Sequence, residues 1–190
     1  FSKKELFYRR LFNSRLCFKA NAIICESNYV KNDIIKYYNV EKKRIHIIES
    51  PPPSDFLETE ILTDENNFIK EKYNLPDEYL YYPAQTWFHK NHLNLLRAFK
   101  ILSTEYPMLH LILSGSVQNN HPNILKYIKE NDLKVIHLGY LNYDELPYIY
   151  FNSKMLVLPT LFESISIPIW EAFSLGVPVC SSNAVALPEQ

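Results

Sequence analysis

Seven short apolar runs separated by stretches of helical length constrain this chain more than any other feature. "AIICE" (22–26), "IHIIE" (45–49), "YLYYP" (79–83), "HLILS" (110–114), "KVIHL" (134–138), "MLVLP" (155–159) and "VPVCS" (177–181) each have the length of a strand. Most are continuously apolar instead of alternating, as strands buried on both faces are. Between them, 28–39, 65–74, 91–106, 121–131, 143–152 and 167–175 carry helical patterns. Leu93, Leu96, Ala98, Phe99 and Leu102 give the 91–106 segment a broad apolar face. Strand and helix alternating at this spacing predict βαβ units, and hence an α/β fold with a parallel sheet flanked by helices.

Three consecutive prolines in "ESPPPSDF" (49–56) interrupt the alternation. Proline donates no backbone hydrogen bond and fits neither a strand ladder nor a helix interior. Charge changes sign at the same place: residues 1–50 hold eleven Lys/Arg against five Asp/Glu, and 51–190 hold nine against sixteen. The expected division is 1–53, the tail of one α/β unit, and 54–190, most of a second. The basic excess concentrates in "FSKKELFYRRLFNSRLCFK", which reads either as a solvated helix face or as a contact for an anionic membrane or a phosphate-bearing acceptor. With only three glycines, tight turns fall to Asn, Ser, Asp and Pro. Cys17, Cys25 and Cys180 lie in apolar-looking settings without metal-ligand spacing, which points to a reducing compartment. No apolar run approaches the ~20 residues of a membrane helix. The chain opens on Phe1 and closes on "ALPEQ", the opening of an element, so it reads as part of a longer protein.

Chemistry concentrates in "LPTLFESISIPIWEAFSLGVPV" (158–179). A buried strand ends at Pro159, and the loop "TLFES" follows at its carboxyl end, where open α/β sheets bind ligands. Ser166 can cap the next helix, Pro168 fits its first turn, and Gly176 stops it, so a helix is expected over 167–175. The amides at its start carry partial positive charge and can hold an anion without a lysine beside them. Glu163 precedes that anion site, and Glu171 lies one turn beyond it, ~6 Å along the axis at 1.5 Å per residue. The spacing admits two readings. Glu171 can be ordinary dipole complementarity, with Glu163 a surface residue of the loop. Alternatively each carboxylate accepts from a vicinal diol on either side of a diphosphate, as a nucleoside diphosphate sugar would require.

The stretch "ESISIPIWEAFSLGVPV" resembles the glutamate–seven-residue–glutamate motif of the group 1 (family 4) retaining glycosyltransferases, which have the GT-B fold of Rossmann-like domains. "YYPAQTWFHKNHLNLLRAF" is similar to the phosphate loop that opens that family's donor domain. "LGYLNYDELPYIYFNSKMLVLP" is similar to the helix and strand before the motif, and "ANAIICESNYVKNDIIKYYNVEKKRIHII" resembles the close of the acceptor domain. The resemblance runs from residue 20 to the end. It implies that Glu163 holds hydroxyls of the donor hexose and Glu171 the ribose diol. It further implies that the amides of Ser164, Ile165, Ser166 and Ile167 meet the diphosphate and that Lys90 pairs with phosphate. Gly139, Tyr140 and Leu141 would border the nucleobase, and Gly115 would let the ligand approach. Lys90 and Glu163 would act in catalysis.

The sequence departs from the family at Ser164 and Ser166, often Gly, and at Gln85, usually Arg on the phosphate-facing side of the loop. No Asp-x-Asp occurs, so no metal or other cofactor is expected. His89 and His92 lack a third ligand, and they read as a loop residue and a helix-surface residue. The acidic 54–190 segment argues against nucleic acid as a partner. The resemblance implies a cytoplasmic enzyme, at the inner face of the membrane if the basic segment touches it. It would move a hexosyl unit from a nucleotide-sugar donor to a glycan or lipid-linked acceptor with retention. A GT-B nucleotide-sugar epimerase and a non-catalytic nucleotide-sugar-binding module are the alternatives.

Overall fold

The computed structural model describes residues 2–51, 54–58 and 60–190. It builds an α/β protein on two parallel sheets. In the smaller one, β1 (Ile23–Cys25) pairs with β2 (Ile45–Ile47), with α2 (Asn28–Tyr38) as the crossover. Cys25, Val40 and Ile45 form its own small core with Val30 and Ile34 of α2. Before it lies α1 (Lys3–Lys19), which begins with a capping box between Ser2 and Glu5. The Arg44 guanidinium donates to the carbonyls of Cys17, Phe18 and Ala20 at the end of that helix. None of α1's residues is buried, although Phe7, Phe12 and Phe18 lie on it. The expected boundary at 53/54 falls on Pro52 and Pro53, outside the described residues.

The larger sheet has the order β5-β4-β3-β6-β7, all parallel. Its strands are β3 (Tyr79–Pro83), β4 (His110–Ser114), β5 (Val135–His137), β6 (Met155–Leu158) and β7 (Val179–Ser181). All seven apolar runs are therefore strands, several of them trimmed at the ends. The six expected helices also form: α2, α4 (Thr63–Lys72), α5 (His92–Glu105), α6 (His121–Glu130), α7 (Leu146–Phe151) and α8 (Ile167–Ser174). The 143–152 segment begins with a 3₁₀ turn before α7. The short α3 (Ser54–Glu58) carries too little pattern to be read in advance.

Chain order runs outward from β3 to β5 and then restarts beside β3 at β6. Right-handed crossovers put helices on opposite faces in the two halves. Accordingly α5 packs on α6, while α7 packs on α8 and α4. One consequence is a groove of about 970 Å³ on the α5 side of β6 and β7, lined by Leu95, Phe99, Leu102, Met155, Val157 and Cys180. No helix covers it among the described residues. Cys180 is exposed on this edge, among the apolar neighbours expected for it. None of the described helices is long and apolar enough to cross a membrane.

The core is built around "YLYY". Tyr79, Tyr81 and Tyr82 are fully buried, and each hydroxyl finds a partner: the Ile149 carbonyl at 2.7 Å, Ser114 Oγ at 2.7 Å and the Lys90 carbonyl at 2.8 Å. The buried phenols are thereby kept from being unpaired polar groups, and β3 is tied to α7, β4 and the loop after itself. Asn39, Asn74, Asn91 and Asp132 adopt positive φ, where glycine is the usual occupant.

Candidate donor-nucleotide site

The strand order reverses between β3 and β6, so the loops leaving these two strands diverge at their carboxyl ends and open a crevice. Both loops are built as a unit. Leu161 N–H donates to the His89 carbonyl at 2.8 Å, and the Asn91 side-chain amide to the Pro159 carbonyl at 2.9 Å. Asn91, at φ 62°, turns the chain from the 88–90 turn directly into α5. Tyr82 holds the same turn from below through the Lys90 carbonyl.

Across this crevice Lys90 Nζ donates to Glu163 Oε2, each side chain about one-fifth exposed. The two residues that the resemblance assigns to phosphate and to sugar therefore touch each other. Gln85 is paired too, its Oε1 accepting from Trp87 Nε1 at 2.8 Å. Ser166 stands at the N-cap of α8 and Pro168 in the first turn, as expected, but the Ser166 side chain makes no capping bond. Its backbone N–H donates instead to Gln190 Oε1 at 2.9 Å. Ser164 and Ile165 face a narrow cleft shared with Glu26, Ser27, Glu49 and Glu189.

A cavity of about 180 Å³ lies next to the crevice. Gln85, Gly115, Tyr140 and Leu141 line it, with Ser114 and Tyr143. It is smaller than the ~300–1,000 Å³ of a typical ligand site, so it has room for one end of an extended ligand. Gly139 adjoins it, its carbonyl accepting from Gly115 N–H at 2.7 Å. Gly115 also has a structural role that the sequence did not show. A Cβ there would meet the Ala84 carbonyl carbon at 2.7 Å and Gln85 N at 2.9 Å, at φ 115°. The glycine lets two loops approach each other at the wall of this cavity.

Glu171 lies deeper than the other candidates, 7% exposed on the fifth residue of α8. Burial raises its pKa, opposed by the Tyr150 hydroxyl, which donates to Oε2 at 2.6 Å. His92 also differs from expectation. It is fully buried and lies against the Tyr82 ring, with centroids 4.8 Å apart and planes tilted by 40°, and both its ring nitrogens are buried. No group of three or more metal-binding side chains with suitable geometry occurs among the described residues.

Residues 63–190 match the family described as glycosyl transferases group 1. The chain belongs to the group 1 glycosyl transferases. This group 1 chain is 29% identical over 174 residues to O-antigen chain mannosyltransferase B of Escherichia coli, covering 90% of itself and 45% of that protein. It is 30% identical over 179 residues to the serotype-specific mannosyltransferase WbdA of Escherichia coli, covering 90% of itself and 22% of that protein. It thus spans less than half the length of these relatives. Among solved structures, a glycosyltransferase of Rickettsia africae superposes with a TM-score of 0.80 at 20% identity over 95% of this chain and 49% of that one. Anabaena HepE, solved with UDP and glucose, gives 0.80 at 17% identity over 100% and 51%. These two likenesses concern the fold.

Four contributors to this group 1 site were not read from the sequence: Tyr150, Asn91, Gln190 and Glu189. The first two reach the site through side chains whose partners lie 21 and 68 positions away. Only a periodicity argument was available for them, and it says nothing about which hydroxyl meets which carboxylate.

Proposed function

We propose that the chain is the donor-nucleotide part of a glycosyltransferase that moves a hexosyl unit from a nucleoside diphosphate sugar to a glycan or lipid-linked acceptor with retention. In this reading 54–190 is the donor domain, and 1–53 closes the acceptor domain. The observation that carries it is the Lys90–Glu163 pair at the point where strand order reverses. A cation and a diol-accepting carboxylate sit there side by side, beside the start of α8. Diphosphate leaving from the sugar carbon gains negative charge, and Lys90 with the α8 amides offsets it. Glu163, released from Lys90, accepts from hydroxyls of the hexose. Glu171 accepts from the ribose diol, and the base occupies the cavity beside Tyr140 and Leu141. The printed activity of the two Escherichia coli relatives supports mannosyl as the hexosyl unit. No metal enters this scheme. The enzyme works in the cytoplasm, and α1 rests on an anionic membrane.

Calorimetry with nucleoside diphosphates, beside a transfer assay on the full-length protein, tests the assignment. Glu171→Ala should weaken free nucleoside diphosphate binding by roughly ten- to a hundredfold, because a charged hydrogen-bond partner is lost. Glu163→Ala should leave that binding nearly unchanged and lower transfer. Both effects should persist in EDTA. Equal loss of nucleotide binding in the two variants would overturn the division of sugar and ribose between them.

A further inference from the structure

Glu171 has one hydrogen-bond partner among the described residues, and it is a residue with no freedom to move. The Tyr150 ring is fully buried on α7. Tyr81 of β3 packs edge-on to it at 4.9 Å and 85°, and Phe56 of α3 does so at 5.8 Å and 83°. Rings from two other elements thus fix both torsions that aim the phenol. Its hydroxyl can only donate to a carboxylate, since an ionised carboxylate offers acceptors alone. It takes Oε2 and leaves Oε1 to a further donor. Burial keeps the phenol protonated throughout the working pH range, so the donor is permanent.

We propose that Tyr150 is the positioning residue for Glu171, aiming its free oxygen at the ribose diol. This rests on the ribose role given to Glu171 above. A carboxylate this deep needs such a donor. Without one, burial alone would favour the protonated acid, which would have to donate one hydrogen bond where it should accept two. The geometry separates this from a packing role. Packing is carried by the ring, which Tyr150→Phe retains, whereas positioning is carried by the hydroxyl, which it removes.

The experiment uses the full-length protein and whichever of UDP, GDP and ADP binds it most tightly. Tyr150→Phe should weaken that nucleotide about tenfold, the value of a charged hydrogen bond, and leave inorganic pyrophosphate binding unchanged. The acid limb of nucleotide binding against pH should move to higher pH, because Glu171 then protonates more readily. The double variant with Glu171→Ala should be no worse than Glu171→Ala alone. Tyr79→Phe, which removes an equally buried hydroxyl bonded to Ile149 of the same helix, should cost stability without moving the acid limb. If Tyr150→Phe does not fold, 3,5-difluorotyrosine at position 150 keeps the shape and strengthens the donor, and the acid limb should then move to lower pH. An acid limb that stays fixed in the variant that folds overturns the proposal, as do additive losses in the double variant. If Glu171→Ala itself leaves nucleotide binding intact, the ribose reading fails instead.

Discussion

His92 determines how this protein should respond to acid. Burial is the largest cause pushing its pKa down, to about 4 from an ordinary 6.5, with positive charge on His137, Lys90 and His121 adding to it and the Ala84 backbone opposing it. The unfolded chain takes up the proton near pH 6.5 and the folded chain does not until about 4. Stability is therefore complete above pH 6.5 and lost as pH falls toward 4, by up to about 3 kcal/mol at 1.36 kcal/mol per unit. His137, lowered mainly by burial, acts in the same direction. Thermal melts at pH 7 and pH 5 should show a marked drop for the wild type and a smaller one for His92→Leu. An equal drop in both would place the acid sensitivity elsewhere. At this scale legibility was uneven. The scarcity of glycine left tight turns to Asn, Ser, Asp and Pro, and among the described residues four of the five non-glycine residues at positive φ are Asn or Asp. Val185 at φ 57° was not foretold, since a β-branched residue there carries strain that only the surrounding contacts can impose. The burial of His92 was missed because helical periodicity shows which residues share a face but not that Tyr82 covers the first turn.

Between elements, the most informative contact joins the last turn of the chain to α2. Glu189 accepts from the N–H groups of Asn28 and Tyr29 at 2.6 and 2.8 Å and from the Asn28 side-chain amide at 3.1 Å. Ser27 caps the same helix through the Val30 N–H. A single carboxylate thus satisfies two of the four amides that a helix start leaves open, and it complements the dipole. Because Glu189 also lies three residues after Ala186, whose N–H meets the Glu163 carbonyl at 3.4 Å, α2 and the Glu163 loop are held by one short segment. Glu189→Ala should cost roughly 1–2 kcal/mol, as loss of a cap does, read as a lower midpoint in urea. A midpoint unchanged within error would mean that Ser27 caps α2 alone. Strands and helices were largely legible because continuous apolar runs and apolar stripes are local. This clasp was not, since it joins positions some 160 apart, and "ALPEQ" carries no signal for a cap.

On the scale of the whole molecule, charge and apolar surface are both unevenly placed. α1 carries Lys3, Lys4, Arg10, Arg15 and Lys19 beside exposed Phe7, Phe12 and Phe18, and buries none of them. Full-length protein should therefore sediment with vesicles containing anionic lipid and be released by salt, as juxtamembrane basic segments are. Equal sedimentation with neutral vesicles would leave α1 a solvated helix. The parallel sheet could be inferred from alternation and from the resemblance, whereas its restart beside β3 could not. Which face of β6 and β7 would stay uncovered could not either, because that depends on strand order, and strand order is set by long-range packing. The open groove beside α5 has a practical consequence. In the 190-residue chain its apolar walls would take up a fluorescent probe such as ANS while the chain is fully folded. Dye fluorescence, ordinarily a sign that tertiary packing has loosened, would be bright at the outset here. A melt followed by that dye should begin from a high signal, and loosening of this chain is better followed through its buried tyrosines.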